Sequence, residues 1–286
     1  MIDSAPLIQN ERELLLGLLE MRFSGWWAAF LVHALETLKA FRLYGDDERQ
    51  MLAWGLAIAA SEGEDSERGL SLSEVAAMTG IPTETARRHL LRLAQDGQCR
   101  RDGQVYAMDF AGPLRAEVVA RSRALRGILC TMLGRPPPAP ADGPGTEAAV
   151  VRAYLLAGLA YAANLRRRVT RGVFIPSTMA GMLEIEGAIR HRRLLEGDPD
   201  ESRRHYVEIV NRINWIVIHT ARIAQLAGEP TPRARAAVRY ASDLGFGTLV
   251  SSDHFAYSAE AAEVLRDDNV LIGVGKEALA DLVLAG

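Results

Sequence analysis

Residues 70–109 constrain this chain more than any other stretch, because two short helical patterns meet there across a very tight break. In LSEVAAMTGIPTETARRHLLRLAQDG, Gly80 ends the first pattern and Pro82 opens the second. A glycine just past a helix supplies a left-handed cap, and a proline in the first turn gives up an N–H that has no partner there anyway. Ser73 is a candidate cap for a helix over 74–79, and the next helix is predicted over 82–95. Its apolar stripe is Ala86, Leu90 and Leu93, which turns Thr83, Glu84, Thr85, Arg87, Arg88 and Arg92 mostly outward. Asp96-Gly97 closes it. QCRRDGQVYAMD then reads as two short strands about Asp102-Gly103, the pattern of a β-hairpin over 98–108.

Most of the remaining chain has helical periodicity: 8–21, 26–43, about 47–61, 113–133, 147–168, 177–195, 202–218 and 232–243. Gly45 stops the second of these, and Asp46-Asp47-Glu48 suits the first turn of the third. Residues 62–70 are a polar loop, and RPPPAPADGPG at 135–145 is too rich in proline and glycine for helix or central strand, so it reads as a linker. The expected fold class is mainly α with small β-hairpins. The expected division is an N-terminal part, 1–134, carrying the motif at 72–108, and a helical part, 146–286.

Helix, short turn, helix and hairpin in that order make the winged helix-turn-helix plan. Leu72 to Met108 resembles bacterial winged-helix regulators of the MarR-like and ArsR-like kind. The resemblance implies that helix 82–95 enters the major groove of double-stranded DNA and that hairpin 98–108 is a wing along the backbone. Thr83, Thr85, Arg87, Arg88, Arg92, Arg100 and Arg101 are then the candidate DNA contacts. Charge agrees locally. The chain is acidic overall, at a formal net charge of -3, yet nine arginines lie between Arg87 and Arg126 against Asp96, Asp102, Asp109 and Glu117. That local excess is how a basic face looks in a protein that is not basic overall.

A second copy is expected in the C-terminal half, over 202–258. Laying Ile223–Gly245 over Val75–Gly97 without a gap matches Ala76, Gly80, Pro82, Thr83, Ala86, Arg87 and Gly97 with Ala224, Gly228, Pro230, Thr231, Ala234, Arg235 and Gly245. TLVSSDHFAYS at 248–258 falls where the second hairpin belongs, and GDPDES at 197–202 parallels GDDER at 45–49. The expected architecture is thus a tandem winged helix-turn-helix with extra helices. Arg233, Arg235 and Arg239 are the candidate DNA contacts of the second copy. That copy departs from the pattern: 206–227 reads as nearly unbroken helix with Thr220 the only plausible cap, and Ala236 and Ala237 replace Arg88 and His89. Its DNA contact is therefore in doubt.

Regulators of this kind usually dimerise to present two reading helices. A homodimer or an intramolecular pseudo-dimer is expected. Trp26, Trp27, Phe30 and Phe41, with Tyr206 and Trp215, suit either a core, a dimer interface, or a pocket for a small apolar effector. The six histidines lack metal spacing and Cys99 and Cys130 are not paired, so no metal or cofactor is expected. LIGVGKEAL at 271–279 has Val270 where a phosphate loop needs glycine and Glu277 where it needs serine or threonine. No nucleophile-elbow pattern occurs, so the reading is non-enzymatic. Two cysteines fit a reducing cytoplasm, and Gly25–Leu38, the most apolar stretch, is broken by His33 and Glu36, so no membrane partner is expected. The competing reading is a tandem winged-helix scaffold that binds proteins, as in chromosome-segregation complexes.

Overall fold

A computed structural model describes residues 5–21, 23–61, 68–136, 144–168, 176–181, 184, 217–245, 247–257 and 273–285. The chain is mainly helical, with two three-stranded antiparallel sheets among the described residues. It opens with α1 (Ala5–Met21), α2 (Phe23–Ala40), a 3-10 turn (Phe41–Tyr44) and α3 (Asp47–Ala60). Asp46 starts α3 by accepting from the Arg49 N–H at 3.0 Å. Every residue of α3 from Gln50 to Ala60 is buried, so this helix has no solvent face beyond its first turn.

The next segment holds β1 (Leu70–Ser71), α4 (Leu72–Thr79), α5 (Thr83–Gln95), β2 (Arg100–Asp102) and β3 (Val105–Ala107), in sheet order β1-β3-β2. Two details correct the sequence reading. β1 is a strand that the pattern hid, and α4 begins at Leu72 with Ser71 rather than Ser73 as its cap. The reason is geometric. Ser71 is still extended where it pairs with Val105, so its hydroxyl can reach back to the Glu74 N–H at 3.3 Å. The Glu74 carboxylate returns to the Ser71 N–H at 2.7 Å, closing a capping box.

α6 (Gly112–Met132) and α7 (Pro144–Arg168) follow, and then the same order of elements recurs: β4 (Val217–His219), α8 (Thr220–Ala227), α9 (Thr231–Asp243), β5 (Gly247–Ser251) and β6 (His254–Tyr257). Its sheet order, β4-β6-β5, repeats that of the first unit. Gly80 and Gly228 cap α4 and α8 in the left-handed region, at φ 66° and 62°, which only glycine enters without strain. The strand register agrees as well. Tyr106 lies between Leu70 and Arg101, and Phe255 lies between Ile218 and Leu249. The nearly unbroken helix expected over 206–227 is corrected in its described part: 217–219 form a strand, and helix begins at Thr220. Antiparallel pairing with β6 pulls Val217, Ile218 and His219 out of the helix. The helix expected over 202–218 otherwise lies outside the described residues, as do Tyr206, Trp215, GDPDES and most of 177–195. α10 (Gly273–Leu284) is the last described element and contains the GVGKEAL stretch.

α7 packs against α3, α4, α6 and α10, and α2 against α6. Buried apolar residues from before and after 135–145 form one cluster. Trp26, Trp27, Phe30 and Phe41 are all inside it, at 0–1% exposure. Trp27 and Phe30 meet Tyr161 of α7 edge-on, and Phe41 stacks on Trp54. Of the readings open for these aromatics, core is the one they adopt. α7 is long and apolar enough to cross a bilayer, but 72% of its most apolar window is buried in the protein. Tyr154 on α7 donates to the His33 carbonyl at 2.8 Å and contacts Thr37.

Candidate nucleic-acid interface

α5 divides cleanly into two faces. Ala86, His89, Leu90 and Leu93 are buried, whereas Thr83, Arg87, Arg88 and Arg92 are exposed and Thr85 is half-buried. Arg87 is engaged by Glu84 one turn back, Nε to Oε2 at 2.9 Å and Nη2 to Oε1 at 2.6 Å. The guanidinium holds the Glu84 carboxyl below its ordinary range. Arg88 and Arg92 make no ion pair among the described residues. Arg100 and Arg101 are exposed on β2, the next element of the chain. Arg101 donates to the Gly103 carbonyl at 3.0 Å and lies over the Tyr106 ring, 5.9 Å from its centre. A backbone carbonyl and a ring face orient this arginine without cancelling its charge.

Behind α5 lies an ionic support that the sequence pattern did not reveal. His89 is buried, with Nε2 2.9 Å from Glu48 Oε2 on α3. Arg166 near the end of α7 reaches the same carboxylate at 2.6 Å and donates to the Gly80 carbonyl at 3.1 Å. One arginine thus joins α7, α3 and the turn between α4 and α5. The second unit has a counterpart. Arg42, just before α3, donates to the Ala227 carbonyl at 2.8 Å and to the Gly228 carbonyl. In sequence these arginines lie far from the turns they hold, so no local pattern signals them.

The second-unit candidates behave differently from those of the first. Arg233 is drawn inward. Its Nη2 lies 2.5 Å from Asp47 Oδ1 on α3, and its Nε lies 3.0 Å from Glu229 Oε1. Arg235 of α9 pairs at 2.8 Å with Asp253, which lies at the tip of the β5–β6 hairpin. Asp253 is therefore the counter-ion of a candidate contact. Of the three arginines only Arg239 stands exposed with no ion pair among the described residues.

A cleft of about 710 Å³ opens between the 3-10 turn and the base of the first hairpin, lined among others by Leu43, Tyr44, Gln98, Cys99, Met108 and Asp109. It is distinct from the aromatic cluster named in sequence as a pocket candidate. Burial pushes the Cys99 thiol up to about 11, so this group is a neutral thiol at neutral pH.

The exposed, basic side of α5 and the adjoining β2 is the candidate interface, and no protein-family model, curated protein or solved structure matches the chain.

Proposed function

We propose that this protein is a sequence-specific, double-stranded DNA-binding transcriptional regulator built on a tandem winged helix-turn-helix. In this reading α5 enters the major groove and the β2–β3 hairpin is the wing on the backbone. One observation carries it: Arg88 and Arg92 project from the outer face of a helix whose inner face is packed, and Arg100 and Arg101 are exposed on the strand that follows it in the chain. Arginine forks suit guanine edges and phosphates. Thr83 stands at the helix N-terminus, where free backbone N–H groups favour a phosphate. The reading is of a cytoplasmic, non-enzymatic protein.

Selection from a random duplex pool, followed by a salt titration on the enriched sequence, tests it. The expected result is one enriched motif and a log affinity that falls linearly with log salt, by about 0.9 per phosphate contact. Equal retention of all duplexes, or retention of none, overturns it.

A protein-binding scaffold is favoured by a single observation, the carboxylates that occupy Arg87, Arg233 and Arg235. The two readings part at Arg87→Glu combined with Arg88→Glu. A regulator loses DNA affinity in that variant, whereas a scaffold keeps its partner.

A further inference from the structure

We infer that only the first unit reads DNA, and that the second unit is a brace holding α3 behind α5, so that each chain engages one major-groove segment. The inference rests on the DNA-binding reading above and assigns that reading to one half of the chain.

The two units can be compared position by position. After the turn glycine the first unit has Ile81, buried in the core; the second has Glu229, whose side chain is 4% exposed. A carboxylate in a place built for an apolar side chain needs hydrogen bonds and a cation. Ser177 donates to it at 2.6 Å, and Arg233, one turn further along α9, supplies the charge at 3.0 Å. The first unit has Thr85 where Arg233 stands, because Ile81 needs no counter-ion. Arg233 is thus explained from inside the protein, as the partner that Glu229 requires.

Apart from exposed Arg239, which takes the place of Leu91, the rest of the second face is closed or neutral. Arg235 occupies the place of Arg87 but is held by Asp253. Ala236 stands in the place of Arg88. On the hairpin, Thr248 and Leu249 take the register positions of Arg100 and Arg101, opposite Ala256 and Phe255. Val250, next along β5, is 61% exposed, which suits no phosphate backbone.

What this unit does instead is visible at the start of α3. Asp47 holds Arg233 of α9, and the next residue, Glu48, lies against His89 of α5. Arg42, five residues before Asp47, grips the turn of the second unit through the Ala227 and Gly228 carbonyls. The mechanical connection runs from α9 through α3 to α5. The second unit fixes the pose of the reading helix without touching the duplex.

The test measures the slope of log affinity against log salt on the enriched duplex, using the full chain. Arg92→Gln and Arg100→Gln each flatten the slope by about 0.9, the signature of one lost phosphate contact. Arg235→Gln and Arg239→Gln leave it unchanged; both side chains are at the surface, so these variants fold. Arg233→Gln lowers affinity with the slope retained, because a pose is disturbed and no contact is lost. Footprinting with chain stoichiometry from native mass spectrometry shows one protected groove segment per bound chain. Flattening of the slope by Arg235→Gln or Arg239→Gln, or two protected segments per chain, overturns the inference. If no duplex is enriched, there is no slope to measure and the DNA-binding reading fails first; if a duplex is enriched but neither Arg92→Gln nor Arg100→Gln moves the slope, the assignment to the first unit is overturned while DNA binding stands.

Discussion

Asp47 and Arg233 meet at 2.5 Å although 186 residues of chain separate them. The contact joins the first turn of α3 to the second helix of the second unit. The Asp47 side chain is 6% exposed there, and this arginine is one of the groups that compensate its charge. An acidic residue in the first turn of a helix is favoured locally by the helix dipole. Here the fold uses that local preference for a long-range purpose.

Replacing either partner removes this charged hydrogen bond. Asp47→Ala and Arg233→Ala are each expected to cost about 1.5–3 kcal/mol, the range for hydrogen bonds to charged groups. The double variant is expected to cost less than the sum by at least about 0.5 kcal/mol, since residues in direct contact couple. Urea titrations of the four proteins measure this. Strict additivity contradicts the contact.

Arg166 and Arg42 hold equivalent turns from unequal surroundings. Arg166 has a side chain only 11% exposed and serves both Gly80 and Glu48, whereas Arg42 is at the surface. Arg166→Met strands a carbonyl and a carboxylate together and is expected to cost about 1–3 kcal/mol. Arg42→Met is expected to cost less, because water replaces its bonds. The order of the two denaturant midpoints is the check.

Gly158 lies where α7 crosses Trp54. A β-carbon there would stand 2.4 Å from Trp54 Cζ2. Alanine is the better helix former by about 1 kcal/mol, so an open site would gain from the change. In this packed site Gly158→Ala is expected to destabilise by about 1–3 kcal/mol through overpacking. A raised thermal midpoint would contradict the close approach.

Glu229 sets a pH dependence of stability. Burial raises its carboxyl above the ordinary range, and the Ser177 hydroxyl and Arg233 only partly offset this. The folded state therefore binds the proton more tightly than the unfolded chain. The stabilisation from protonated Glu229 is complete below the ordinary glutamate pKa, about 4.3, and is lost as pH rises through the raised value. Glu229→Gln is expected to flatten this fall in mildly acidic solution, read as urea midpoint against pH. An identical fall in both proteins would show that another group causes it.

Much of the first unit was legible in sequence because its signals are local. Gly80 and Pro82 bracket the turn, Asp102-Gly103 marks the hairpin, and the spacing of Ala86, Leu90 and Leu93 defines the buried side of α5. The recurrence of those signals at Gly228 and Pro230 located the second unit by the same reasoning. β1 and β4 escaped notice because two or three residues are too few to show alternation, and their pairing with β3 and β6 is a tertiary event. His89 was read without its burial, since nothing in the spacing of α5 announces that Glu48 lies against it.

Sequence alone determined where helices start and stop, and which side chains of α5 share a face, because capping, turn geometry and helical period act within a few residues. Tertiary structure alone decided which arginines keep their charge available. Arg235 and Arg87 sit at matching positions in matching helices; Glu84 meets Arg87 at a local i,i+3 spacing, whereas Asp253 reaches Arg235 from a hairpin only through the fold. Arg233 looks like a surface base until Asp47 is brought to it from the far end of the chain. An ion pair depends on distance in space, and spacing along the chain does not contain that distance.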